Sequence, residues 1–391
     1  MSDGQTLLLL LALLYLSDCF LWIKKQSVAF VSPWGRRWRI AKLNSSLANG
    51  RGGLLFVNPL PPLGSVFLSH LSPISISPAG ICAFNLQALP FVGRPAQTGR
   101  SLAFSEITGS STDGAYLLVN NQKFTKFATA KQARAIAELI NAARGATPAA
   151  REGMLRTYFA KQFAADEAAA ILHEADLAIK PIRTACSILF LFLFVATPIL
   201  VSMFGLIPLL VPVALVMIIL AVDISIMFYG AHKKFYPLES QERIEGVVKM
   251  ILCPPVSIRA TDLLTKNLLS EYSPVVVAAL LSGSNAEQFV RAFILDLQHP
   301  LSHEVTDENA AEVFVWLASE QLQGCLAHLK RSGYSTPEKL LAPPAPDEDS
   351  VSYCPRCGCQ FVVGYGACPD CPGVGLVAFS KSIVPKGDLL V

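Results

Sequence analysis

From Thr184 to Val222 the chain carries no charged side chain. A bilayer crossing needs about 20 apolar residues to cover about 30 Å of hydrocarbon, so this run is too long for one crossing and suits two. Gly205, Pro208 and Pro212 sit near its middle, where a turn between two helices would fall. The pattern predicts a transmembrane helical hairpin, 184–204 and 209–231. Helix is the required form, because lipid offers no partner to backbone polar groups.

Leu7–Ile23 is a third apolar segment. The residues before it include no Lys or Arg, and its far end lacks an Ala-x-Ala cleavage pattern, so it reads as an anchor over 6–23 rather than a signal peptide. Asp18 interrupts it, and an interfacial helix is the competing reading.

Short alternating runs broken by Gly and Pro follow, at Val28–Val31, Leu54–Val57, Ile74–Ser77 and Ile81–Phe84. Ala115–Val119, Asn120-Asn121 and Lys123–Phe127 predict a hairpin with Asn at its tight turn. The period then becomes helical over Ala130–Arg144, completing a β-rich domain over 26–147. A long amphipathic helix is expected over 149–182, with a kink at Pro181. Beyond Lys234, five segments read as helices: Glu239–Leu252, Ile258–Leu269, Ser273–Ser282, Asn285–Gln298 and Asp307–Ser332. They predict a helical bundle domain over 238–335. A Pro-rich polar linker occupies 336–352, and a small cysteine-rich segment occupies 353–378. The expected class is an α+β integral membrane protein built from these pieces.

Composition agrees with a membrane protein. Of 391 residues, 52% are hydrophobic and 16% charged, against about 25% charged in soluble proteins. The net charge of +3 and the few basic residues near the C-terminus (Arg356, Lys381, Lys386) argue against nucleic acid as a partner.

Basic residues set the expected orientation. Lys24, Lys25, Arg36, Arg37, Arg39 and Lys42 follow the first segment; Lys180, Arg183, Lys233 and Lys234 flank the hairpin. The N-terminus is therefore expected outside and the bulk of the chain in the cytoplasm, and the compact layout points to a bacterial inner membrane. Trp34, Arg36, Arg37, Trp38 and Arg39 combine amphipathic rings with positive charge, as a headgroup contact requires, although a turn between strands has the same composition.

Five of the ten cysteines fall between Cys354 and Cys371. Cys354-Pro-Arg-Cys357 and Cys368-Pro-Asp-Cys371 form two Cys-x-x-Cys knuckles, and four thiolates so spaced suit a tetrahedral, closed and hence structural zinc site. Such a short segment cannot bury a core alone, so metal would supply much of its folding energy. About 353–378 resembles the small zinc ribbons of the rubredoxin-knuckle type, with Cys-Pro-x-Cys-Gly, Gly364-Tyr-Gly, Cys-Pro-Asp-Cys and a tail at Gly373–Leu376. The resemblance implies a zinc-stabilised β ribbon used for contacts and no activity. Cys359 is an extra thiol, and Pro372 stands where the pattern has glycine. Cys19, Cys82, Cys186, Cys253 and Cys325 read as buried, inert thiols.

Asp223, within the second crossing, is the one candidate intramembrane functional residue. The competing reading is a carboxylate reaching the interface, which is preferred for Asp18. Ser202 and Ser225 read as packing or backbone-bonding residues. No Walker, Gly-x-Gly-x-x-Gly, Gly-x-Ser-x-Gly or His-Glu-x-x-His pattern is present. The expected role is a scaffold or regulatory interaction protein, not an enzyme, with membrane lipid and a protein as its partners. The alternative is a membrane enzyme or transport component using Asp223.

Overall fold

The computed structural model describes residues 5–13, 27–34, 37–43, 66–70, 73–85, 97–282, 287–298, 308–333, 336–355, 358–369 and 374–379. The protein is mostly helical with small sheets. Helix α1 (5–13) is followed by β1 (Ser27–Trp34), β2 (Arg37–Leu43), β3 (Val66–His70), β4 (Ile74–Ile76), β5 (Gly80–Asn85), β6 (Gln97–Ala103), β7 (Ser110–Asp113), β8 (Tyr116–Val119) and β9 (Gln122–Lys126). Antiparallel pairing joins them as three separate sheets, β2-β1-β3, β4-β5-β6 and β7-β8-β9. Asn120 and Asn121 both take positive φ, 52° and 61°, as a two-residue turn matching the twist of its strands requires.

Helix α2 (Ala130–Arg144) begins at Thr129, whose side chain accepts the Gln132 N–H. Helix α3 (Pro148–Lys161) begins at Thr147 in the same way, with proline in its first turn, where no intrahelical N–H is lost. Ala133, Ile136 and Ile140 of α2 and Leu155 and Phe159 of α3 pack on Ile74, Ile81, Leu117 and Val119.

The long amphipathic helix expected over 149–182 is two helices. The chain breaks after α3, Phe163 enters the core, and α4 (Ala165–Leu191) starts with Asp166 and Glu167 in its first turn, where acidic groups suit the positive helix end. A π-helical turn (Phe192–Ala196) and α5 (Thr197–Phe204) continue α4, giving 40 helical residues over Ala165–Phe204. Pro181 lies inside α4.

After Gly205 comes α6 (Leu206–Phe235). The turn is thus shorter than expected. Gly205 alone makes it, at φ +81° and ψ 164°, a conformation that glycine adopts without a Cβ penalty. Pro208 falls in the first turn of α6, whose N–H groups have no intrahelical partner anyway.

The helices after the hairpin are α7 (Ser240–Leu252), a 3₁₀ turn (Pro254–Arg259), α8 (Ala260–Thr265), α9 (Pro274–Ser282), α10 (Glu287–Gln298), α11 (Glu308–Arg331) and α12 (Pro337–Leu341). They do not form a bundle of their own. Helix α9 lies on β1, β2 and β3, and α11 lies on α3 and on β4, β5 and β6. Phe67 of β3 shares a core with Val275–Ala278, Phe293 and Leu329. Apolar faces on either side of the hairpin cover each other, so the sequence split into two soluble domains is not a split in packing.

Strands β10 (Ser352–Tyr353), β11 (Gln360–Phe361) and β12 (Val377–Ala378) form a small sheet ordered β11-β10-β12. The strand expected at Leu54–Val57 lies outside the described residues.

Candidate membrane hairpin and metal-binding ribbon

Both arms of the hairpin are long and apolar enough to cross a membrane. A core helix of a soluble protein is mostly covered, yet only 28% and 17% of their most apolar windows are buried. Ile199, Met203, Ile207, Leu210, Val211, Leu215 and Ile219 face outward along both arms. Inside the hairpin, Ile182, Cys186 and Leu189 pack with Ile224 and Phe228. Leu11 of α1 packs against this same core; 14–26 lie outside the described residues.

Hydroxyls along the hairpin bond to their own helices, a common arrangement where water is excluded. Thr197 Oγ1 donates to Phe192 O at 2.8 Å within the π-helical turn. Ser202 and Ser225 donate to Pro198 O and Ala221 O.

The charged groups gather at the open end. Lys234 Nζ meets Glu174 across the helices at 2.8 Å. Beside them lies a buried polar seam. Arg259 and Asp262 form an ion pair at 3.2 Å, with side chains only 2% and 0% exposed. Cys186 Sγ donates to Ser257 O, and Tyr236 Oη donates to Leu264 O. Arg243 lies over the Tyr229 ring and donates to Tyr236 O. Glu239 accepts the Ala130 N–H at 2.8 Å, tying α2 to the start of α7. Burial raises the pKa of its carboxyl more than that bond lowers it. Sequence reading missed this seam. Its only signals were Arg and Asp three residues apart after Pro254-Pro255, a pattern common on exposed helices.

Asp223 stands apart from the seam. It is exposed on α6, while its neighbours Ile224 and Ser225 turn inward. Ile224 packs with Cys186, one helical turn beyond Arg183, so Asp223 sits close to the charged end rather than mid-hairpin. Trp34 and Arg37 pair across the β1–β2 hairpin, with Trp38 and Arg39 following in β2; Arg36 lies outside the described residues. The described part of Trp34–Arg39 therefore belongs to the end of a strand pair. Asp18 also falls outside the described residues.

In the ribbon, Cys354 and Cys368 are both buried and share one small cluster with Phe361, Val374 and Leu376. The first knuckle closes with two bonds, Cys354 N–H to Cys359 O and Gly358 N–H to Cys354 O. Gly358 takes φ +75°, which lets the chain fold back after the knuckle. The matching bond of the second knuckle runs from Cys368 N–H to Val374 O, so that loop is one residue longer. Pro372 lies outside the described residues. Cys357 and Cys371 lie outside the described residues, and among the described residues no three metal-ligating side chains cluster.

Comparison with family models, with curated proteins and with solved structures finds no match for this chain.

The other cysteines divide. Cys82, Cys186 and Cys325 are buried, and burial raises the Cys325 thiol pKa far above its usual range. Cys253 is exposed, against expectation, because it ends α7 facing outward. Cys19 lies outside the described residues.

The expected flexible linker is tied down. Arg291 of α10 donates to Leu340 O and Ala342 O through Nη1 and to Pro355 O through Nε. Gln360 of β11 accepts the Asp347 N–H and donates to Ala345 O.

Proposed function

We propose that this protein is an integral membrane scaffold, anchored by its hairpin and the segment over 6–23, that carries a structural zinc ribbon on the cytoplasmic face for contact with another protein. The observation that carries the reading is the outward apolar surface of the hairpin, with its charges collected at one end. Chains that expose such surfaces are covered by lipid or by other proteins. Lys180, Arg183, Lys233 and Lys234 at that end support a cytoplasmic base.

Zinc is supported by the donor set. Cys354 and Cys368, the first thiols of the two knuckles, are buried together, and Gly358 has the backbone that such a turn needs. Cys357 and Cys371 would complete four thiolates, a closed set that holds structure and leaves no position for a substrate. The Arg291 contacts favour a ribbon held in fixed relation to the body. Trp34, Arg36, Arg37, Trp38 and Arg39 remain the proposed headgroup contact.

The scaffold reading is tested by crosslinking in intact membranes. The same protein partner should be recovered with the parent and lost when Cys354 and Cys357 are both replaced by Ser. Recovery of no partner from the parent removes the scaffold reading. No specific observation favours the alternative enzyme or transport role for Asp223.

A further inference from the structure

Helix α7 turns back after α6 and runs antiparallel to it. A Cβ at Gly246 would come within 3.1 Å of the Phe228 ring, which places the middle of α7 against that part of α6. Leu252, six residues on, lies about 9 Å further toward the apolar end of the hairpin. A second contact fixes the depth independently. Cys186 Sγ reaches Ser257 O at 3.2 Å, so the 3₁₀ turn crosses the hairpin one helical turn beyond Arg183, the last charge before the apolar run. From there α8 descends, and Leu264 O meets the Tyr236 hydroxyl near the foot of α6.

The tip of this up-and-down element has the chemistry of a lipid contact. Met250–Ile258 carries no charge. Ile251, Leu252 and Cys253 face outward, Leu252 at 79% exposure, and Ile244 and Val248 continue the stripe along α7. Irregular backbone at membrane depth must be satisfied by protein. Here Cys253 N–H donates to Lys249 O and Val256 N–H to Cys253 O, while Pro254 and Pro255 have no N–H to satisfy. Glu245 and Lys249, six and two residues before Ile251, pair with each other, and the long Lys249 side chain can reach back toward the headgroups.

We propose that residues 240–265 form a re-entrant element whose tip, Ile251–Val256, dips into the acyl region of the leaflet at the base of the hairpin. The inference rests on the membrane reading of the hairpin. Its occupant is lipid, because the apolar stripe on α7 runs beside the outward-facing Val222 and Ile226 of α6, with the exposed Asp223 between them near enough to the charged end to meet the headgroups.

The test uses the full chain in phosphatidylcholine–phosphatidylglycerol vesicles, with a nitroxide amino acid incorporated singly at Leu252, Glu242 or Leu215. Collision rates with oxygen, which concentrates among acyl chains, and with a water-soluble nickel chelate are compared. The oxygen-to-nickel ratio should be several-fold higher at Leu252 and Leu215 than at Glu242. An aqueous ratio at Leu252 beside an acyl ratio at Leu215 overturns the re-entrant element and leaves the hairpin standing. Aqueous ratios at both overturn the membrane reading itself. Shielding of Leu252 from both probes shows a protein on the tip, and that also overturns the proposal.

Discussion

Arg291 and Pro355, 64 residues apart, are joined by a hydrogen bond of 3.3 Å from the guanidinium Nε to the carbonyl inside the first knuckle. The same side chain holds Ala342 O at 2.8 Å. One cation therefore fastens both the linker and the ribbon to α10. Arg291→Ala removes all these donors at once, and hydrogen bonds that involve a charged group contribute about 1.5–3 kcal/mol each. Hydrogen exchange in the variant should rise at the linker and at the start of the ribbon, while amides of α4 and α6 keep the parent rate. Unchanged exchange at the linker would show that the Gln360 contacts hold it alone.

Metal removal separates the ribbon from the rest of the protein. Purified parent should contain about one zinc per chain, and the Cys354→Ser, Cys357→Ser double variant none. A chelator should then raise exchange at β10 and β11, because metal binding is coupled to folding in so small a unit. The hairpin and the core under α11 should not respond. Parent protein without zinc, with its thiols found as disulfides, would end the zinc proposal and place the ribbon outside a reducing compartment.

Gly324 on α11 faces the ring of Phe163, which is buried where the chain breaks between α3 and α4. A Cβ there would overlap the ring. Gly324→Ala should cost about 1–3 kcal/mol of stability, as overpacked cores do. Adding Phe163→Leu should recover part of the loss, since neighbouring substitutions couple. Thermal unfolding of the two single variants and the double variant measures this. Simple addition of the two losses would show that the ring is not the obstacle.

Much of the local structure was legible in the sequence. Asn120-Asn121 announced its turn, Ala130–Arg144 its helix, and the uncharged run its hairpin, because each is set by neighbours within a few residues. Three features were not legible, and each depends on contacts far apart in the chain. The seating of the Phe163 ring at the break needs the bare Gly324; the merging of the two expected soluble domains rests on Phe67 sharing a core with α9; and the linker is held by Arg291. The rise of α7 beside α6 was hidden for another reason. Its uncharged tip is far too short to register as a crossing, and two contacts distant in the chain, Gly246 against Phe228 and Cys186 against Ser257, show where it stands.

His328 of α11 is buried, and burial lowers its pKa below the ordinary 6.5, with the nearby Arg331 charge adding to the shift. The folded state thus prefers the neutral ring. Above pH 6.5 the ring is neutral in both states and costs nothing. As pH falls below 6.5 the unfolded chain takes up a proton that the folded chain refuses, so stability declines toward the lowered folded value. Glu239 works in the opposite sense: its pKa is raised, so protonation from above favours the folded state. A bare pH profile mixes the two, and the difference between parent and His328→Gln isolates the histidine. The midpoint of thermal unfolding, measured from pH 8 to pH 5, should fall more steeply below pH 6.5 in the parent than in the variant. Parallel curves would mean that His328 stays neutral or charged alike in both states, and that burial at this site does not control its proton.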